Sequence, residues 1–175
     1  MWPVLRCRDC AGRRLSFASA RAAVEYDEAV RRIVGGWKER GLRRLALEAA
    51  ALVVESVPRP EAEVVTFVPP DGDRRLRRGH HPAEQLAREL GRRWALPVEL
   101  LLARTGTSKR QRGLGLLERR HNVRGAFRAA GAAPARVCLV DDVYTSGATA
   151  NAASLALRKA GAKRVEVVCF ARVVR

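Results

Sequence analysis

The sequence predicts an α/β protein: a mostly parallel central sheet flanked by helices, with an N-terminal helical region. Three observations carry this expectation. Short apolar and β-branched runs alternate with helical stretches in the second half of the chain, and strand–helix–strand alternation leads to parallel pairing. One run ends in two adjacent acids and a Thr/Ser/Gly loop that opens a helix, as at the carboxyl edge of an open parallel sheet. The length of 175 residues with 47% hydrophobic content suits one domain with a real core, with room for a small appendage.

Taken in order, residues 1–20 read as an irregular head carrying Cys7-Arg8-Asp9-Cys10. Residues 21–57 read as helical. Val24, Ala29, Val30, Ile33 and Val34 recur near the helical period, and Gly35-Gly36 are expected to break the run. Leu42, Leu45, Ala46, Ala49, Ala50, Leu52 and Val53 continue on a second helix, ended by Pro58 and Pro60. The core of the domain is expected over 61–175. Val64–Val68 is a buried strand closed by Pro69-Pro70, and Asp71-Gly72-Asp73 is a turn. Pro82 opens a helix running to Arg93. Val98–Leu101 is a second strand. Residues 104–128 are rich in Gly and Arg with little periodicity, apart from a short helical stretch near Leu114–Arg120. Val137–Val140 is a third strand, Ala150–Ala160 a helix with Gly161 just beyond its end, and Val165–Phe170 a fourth strand.

Charge narrows the partners without choosing one. There are 34 basic residues against 18 acidic, a net charge of +16, and all the basic residues but Lys38, Lys109, Lys159 and Lys163 are Arg. Arg presents a planar fork of donors suited to phosphate and carboxylate. Nucleic acid, a phosphorylated metabolite and an acidic protein surface all fit, and so does a GC-rich codon bias without any partner. No stretch approaches the ~18 uninterrupted apolar residues of a membrane span. The first residues lack the apolar region of a secretory signal, and four scattered cysteines make no disulfide framework, so a cytoplasmic, reduced protein is expected.

The most informative segment is Val137-Cys138-Leu139-Val140-Asp141-Asp142-Val143-Tyr144-Thr145-Ser146-Gly147-Ala148-Thr149. A helix N-terminus offers free N–H groups and a positive dipole end, which suit a phosphate. Thr145, Ser146 and Thr149 add hydroxyl donors, and Gly147 permits close backbone approach. Asp141 and Asp142 can accept hydrogen bonds from sugar hydroxyls or hold a divalent cation. Taken alone, the acids are an ordinary strand end and Thr149 an ordinary cap; together they point to a site.

This segment resembles the phosphoribosyl-pyrophosphate (PRPP) motif of type I phosphoribosyltransferases: four apolar residues, two acids and a T-T/S-G-x-T loop. The resemblance implies that fold, with Asp141 and Asp142 as the catalytic pair on the ribose and near Mg²⁺. It implies that Thr145, Ser146, Gly147, Ala148 and Thr149 bind the 5′-phosphate. A second segment, Gln111-x-x-Leu114, Arg119 and Asn122-Val123-Arg124-Gly125-Ala126-Phe127, is similar to the block that marks the ComF (competence protein F) family. Residues 104–128 hold eight basic residues against Glu118 alone. A mobile cationic loop there, with Arg104, Lys109, Gln111 and Arg119 in it, would close over a pyrophosphate. Upstream, Pro70, Asp71, Gly72 and Arg78 stand at the family's pyrophosphate-loop position. His80, His81 and Pro82 depart from the family's R-G-F-N-Q-A pattern there. Adjacent histidines on an extended chain point apart, so exposed or anion-facing rings are expected rather than a metal site.

ComF-like proteins often begin with a four-Cys zinc module, of which Cys7 and Cys10 would be an incomplete half-site. Cys138 and Cys169 lie in expected buried strands and read as core residues, so a complete zinc site within this chain is not expected. Residues 21–57 would then form a helical, hood-like region. The resemblance implies a PRPP-binding protein that displaces pyrophosphate with Mg²⁺ and an unknown acceptor, linked to natural competence and DNA uptake. The alternative is a non-catalytic module that binds PRPP or single-stranded DNA and works with a helicase partner. A homo-oligomer fits either reading. Only nine residues are aromatic, so base stacking along a DNA strand is not expected.

Overall fold

The computed structural model describes residues 12, 14–42, 44–70, 80–105 and 125–174. In chain order the elements are β1 (Ser19–Glu25), α1 (Glu28–Arg40), α2 (Arg44–Ser56), β2 (Val64–Phe67) and α3 (Pro82–Trp94). They are followed by β3 (Leu102–Arg104), β4 (Phe127–Ala129), β5 (Arg136–Tyr144), α4 (Ala148–Lys159) and β6 (Arg164–Arg172). Four strands form a sheet in the order β1-β6-β5-β2, every pair parallel. The α/β class read from the sequence therefore holds.

Successive residues of a strand face opposite sides, and the core divides accordingly. Val65, Phe67, Cys138, Val140, Val168 and Phe170 pack under α1, α2 and α3. Val64, Val137, Leu139, Val165, Val167 and Cys169 pack under α4 and the β3–β4 ribbon. Strands covered on both faces need apolar residues at nearly every position, which is why β2, β5 and β6 are short aliphatic runs. Burial pushes the Cys138 and Cys169 thiols well up, as expected of inert core residues.

Three expectations need correction. The stretch from Ala22 is not helical at its start: residues 19–25 form the edge strand β1, in register with β6 from Ser19↔Glu166 to Glu25↔Arg172. Its sequence, SARAAVE, has little strand propensity; pairing with β6 overrides the local preference. Gly35-Gly36 do not break α1. The helix continues to Arg40 and ends at Gly41, which takes the left-handed conformation at φ 66°. Glycine inside a helix costs about 1 kcal/mol relative to alanine, and complete burial of the adjacent Trp37 offsets it. Finally, Val98–Leu101 does not form a full strand. Val98 makes a single parallel bridge to Val65, with Val65 N donating to Pro97 O (2.8 Å) and Glu99 N to Val65 O (3.0 Å). The chain then leaves the sheet, and Leu102–Arg104 pairs antiparallel with Phe127–Ala129.

Other expectations hold. α3 starts with Pro82 in its first turn. Gly161, just beyond α4, has φ +113°. The residues expected as a short helix near 114–120 lie outside the described ones.

The connections explain where a ligand would sit. After β2 the chain passes through α3, on one face, to the bridge at Val98, on the outer side of β2. After β5 it passes through α4, on the other face, to β6, in the opposite direction. Neighbouring parallel strands whose chains depart in opposite directions leave a crevice at their carboxyl ends, the usual binding position in open α/β sheets. Here that crevice lies between the ends of β2 and β5.

Candidate functional site

β2 ends at Phe67, opposite Val140, and Val68 N adds one more bond to Val140 O (3.0 Å). β5 runs on beside β6 as far as Tyr144, opposite Arg172. Asp141 and Asp142 are therefore the first residues of β5 beyond its ladder with β2. The two acids occupy the mouth of the crevice, and both are half-buried.

Their surroundings differ. Asp142 is paired with Lys38 of α1, Nζ to Oδ2 2.9 Å. Asp141 Oδ1 accepts a hydrogen bond from Asp142 N (2.9 Å). Burial pushes the Asp141 carboxyl up to about 7, and the neighbouring Asp142 charge adds to this. The Asp142 amide and the charges of Lys38 and Arg104 pull the other way without overcoming it.

Arg104 stands at the last position of β3, where the basic 104–128 segment leaves the β3–β4 ribbon. Its Nε donates to Pro69 O (3.1 Å) and its guanidinium lies 4.8 Å from the Phe127 ring centroid. These contacts tie the base of that segment to the chain just past β2, next to Pro70. Arg104, expected on a mobile loop, sits on the β3–β4 ribbon, and its charge acts on Asp141. Asp71, Gly72, Arg78, Lys109, Gln111 and Arg119 lie outside the described residues, as do Cys7 and Cys10.

Residues 145–147 link β5 to α4, and Ala148 and Thr149 open the helix. Gly147 is the N-cap of α4, with φ 71° and no capping side chain, and the first turn of the helix holds no acid. Ala148 N donates to Ser146 Oγ over a long 3.4 Å. A β-carbon on Gly147 would stand 2.2 Å from the Tyr144 hydroxyl. Tyr144, whose purpose the sequence left open, is thus the buried floor of the loop, itself set edge-on against Phe17 at 6.5 Å. Thr145 is exposed, and Ser146, Ala148 and Thr149 are half-buried. The loop offers backbone N–H groups, a dipole end and hydroxyls, groups that suit an anion.

The histidines are a correction. His81 is the N-cap of α3, its Nδ1 accepting from Glu84 N (3.2 Å), and it packs against Phe67 with ring centroids 5.8 Å apart. His80 Nε2 lies 2.8 Å from Trp37 O. Both rings are half-buried structural links rather than exposed groups. A helix beginning at Pro82 needs a cap acceptor at the preceding residue, and an imidazole nitrogen supplies it.

Sequence reasoning missed Lys38. One signal could have found it: Lys38 is the only lysine in the first 108 residues of a chain otherwise rich in Arg. As for a cation, the donors at the crevice are two carboxylates, and no group of three or more His, Cys, Asp or Glu occurs among the described residues. Two hard oxygen donors suit Mg²⁺, which keeps several waters and shares its remaining positions with phosphate ligands. No helix among the described residues is long and apolar enough to cross a membrane.

The chain is 34% identical over 141 residues to competence protein F of Haemophilus influenzae, covering 78% of this chain and 62% of that protein. It is 27% identical over 170 residues to competence protein ComFC of Streptococcus pneumoniae, covering 95% of this chain and 75% of that one. It thus spans less than two thirds of the Haemophilus protein. Among solved structures, a purine phosphoribosyltransferase from Pyrococcus horikoshii aligns with a TM-score of 0.40 at 23% identity, over 74% of this chain and 71% of that one. No protein-family profile matches the chain.

Proposed function

We propose, starting from the chain's similarity to competence proteins F and ComFC, that it binds PRPP at the crevice between β2 and β5. One observation carries the reading. The acid pair at the end of β5 is followed, within a few residues, by a helix N-terminus with no capping side chain, built over a glycine that admits no side chain. That is the arrangement needed to hold a sugar diol and its phosphate side by side.

In this reading Asp141 and Asp142 accept hydrogen bonds from the ribose hydroxyls and fix the ring. The loop Thr145-Ser146-Gly147-Ala148-Thr149 holds the 5′-phosphate through backbone N–H groups and hydroxyls. Pro70, Asp71, Gly72 and Arg78, which follow β2 in the sequence, are assigned to the diphosphate by the resemblance to the family's pyrophosphate loop. Arg104 approaches it from the ribbon, with Lys109, Gln111 and Arg119 on the segment the ribbon carries. Mg²⁺, held by the acids and the ligand's own oxygens, supplies charge neutralisation for the departing diphosphate. The reaction that fits is displacement at the anomeric carbon. The carbon–oxygen bond to pyrophosphate breaks, a bond to an acceptor nucleophile forms, and pyrophosphate leaves with its electron pair. The protein's share is orientation and electrostatic stabilisation. The helices α1 and α2 act as a hood on one side.

A second reading keeps the ligand and omits the transfer: a PRPP- or single-stranded-DNA-binding module in DNA uptake with a helicase partner. The competence names of the relatives and the net charge of +16 favour it. Pyrophosphate release from PRPP, assayed with purine, pyrimidine and small amine acceptors, separates the two. Release with any acceptor supports transfer. PRPP binding without release, together with DNA affinity that falls as salt rises, supports the module.

A further inference from the structure

Lys38 is held in place with more care than a surface ion pair requires. Its neighbour Trp37 is fully buried, donates Nε1–H to Gln85 Oε1 of α3 (2.8 Å) and stands edge-on to Phe170 of β6 at 6.4 Å. The Trp37 carbonyl oxygen lies 2.8 Å from His80 Nε2. The helix then ends at Gly41, where a β-carbon would stand 3.4 Å from the His80 ring. These contacts fix the register of the last turn of α1, so only the lysine's own rotamers remain free. Its ammonium meets Asp142 at 2.9 Å, with side-chain exposures of 30% and 15%.

The ammonium therefore occupies the carboxylate that a sugar hydroxyl or a cation must reach. At the mouth of the crevice the charge of Asp142 is already met by the Lys38 ammonium. A divalent cation arriving alone finds a carboxylate that already has its counter-charge. Arriving with a diphosphate, it brings anionic oxygens to which the displaced ammonium can turn.

We propose that Lys38 is a displaceable counterion of Asp142 that makes divalent-cation binding conditional on a phosphorylated ligand. Its ammonium passes from the carboxylate to a phosphoryl oxygen when the two arrive together. The second half of this proposal rests on the PRPP reading; the first does not.

The test is calorimetric titration at constant ionic strength with Mn²⁺ alone, and with Mn²⁺ in the presence of inorganic pyrophosphate. The proteins are the wild type, Lys38→Met, Asp142→Asn and the double variant, with thermal melts confirming folding. Wild type is expected to bind Mn²⁺ weakly alone and more tightly with pyrophosphate. Lys38→Met is expected to bind Mn²⁺ alone about tenfold more tightly, with a smaller gain from pyrophosphate. Asp142→Asn should erase the difference. Equal Mn²⁺ affinity in wild type and Lys38→Met overturns the proposal, as does a gain that survives in the double variant. Should Lys38→Met fail to fold, Lys38→Gln is read against the same outcomes. A wild type that ignores pyrophosphate while the Mn²⁺ gain persists strikes the PRPP reading and the hand-over, and leaves the counterion role standing.

Discussion

A carboxyl group at a half-buried strand end must find a counter-charge or keep its proton. Asp142 does the first, through Lys38. Asp141 does the second, with its carboxyl pushed up to about 7 from an ordinary 3.8. The sign of the consequence follows from linkage. Between about pH 4 and about pH 7 the folded state holds a proton that the unfolded state has lost, so stability falls as pH rises through that window. Asn resembles the protonated acid and can still accept from Asp142 N. Asp141→Asn is therefore expected to melt at the same temperature as wild type near the low end of the window and at a higher one above it. Thermal melts across the range check this, and parallel curves would contradict it. Gly147 gives a second expectation. Gly147→Ala forces a side chain into a left-handed backbone and against the Tyr144 hydroxyl. It should cost about 1–3 kcal/mol and weaken binding of inorganic phosphate, read by melts and titration. The sequence showed both residues because thirteen consecutive positions formed one pattern. It did not show Lys38 or Tyr144, because their purposes arise from α1 meeting β5 and from Phe17 meeting the loop. Those contacts depend on the folded chain.

At the scale of elements, the strands covered on both faces were legible and the edge strand β1 was not. β2, β5 and β6 announce themselves as aliphatic runs because both of their faces are covered. β1 has one free edge and a half-buried sequence of alanine, serine and charge, so nothing in its pattern marks a strand. What secures it is partly a buried acid. Glu166 of β6 bonds Arg21 of β1 (3.2 Å) and Arg164 of its own strand (2.7 Å), with Ser19 Oγ at 3.5 Å. Glu166→Ala should lower stability by about 2 kcal/mol, the scale of hydrogen bonds to a charged group. Its clearest sign should be faster amide exchange in residues 19–25 than in β5. Unchanged exchange there would show that backbone pairing alone holds the edge. The end of α1 was misread for a similar reason. A Gly-Gly pair reads as a break until burial of the following tryptophan outweighs its cost, and that burial comes from α3 and β6.

Across the whole molecule, the order of strands explains the site better than any single residue does. β2 and β5 send their chains in opposite directions, and the acids, the uncapped helix end and Arg104 meet where they part. The sequence supplied the strands and the loop; the crevice between β2 and β5 required the sheet order, which local pattern does not encode. The net charge of +16 belongs to this scale too. It favours anionic partners of any size, so it does not distinguish a sugar diphosphate from a nucleic acid. Binding of PRPP in the crevice through Asp141 and Asp142 is tested by calorimetry with PRPP and Mg²⁺. The expected result is saturable heat from the wild type and its loss in the Asp141→Asn/Asp142→Asn variant. No heat from the wild type, or equal heat from both proteins, would contradict it.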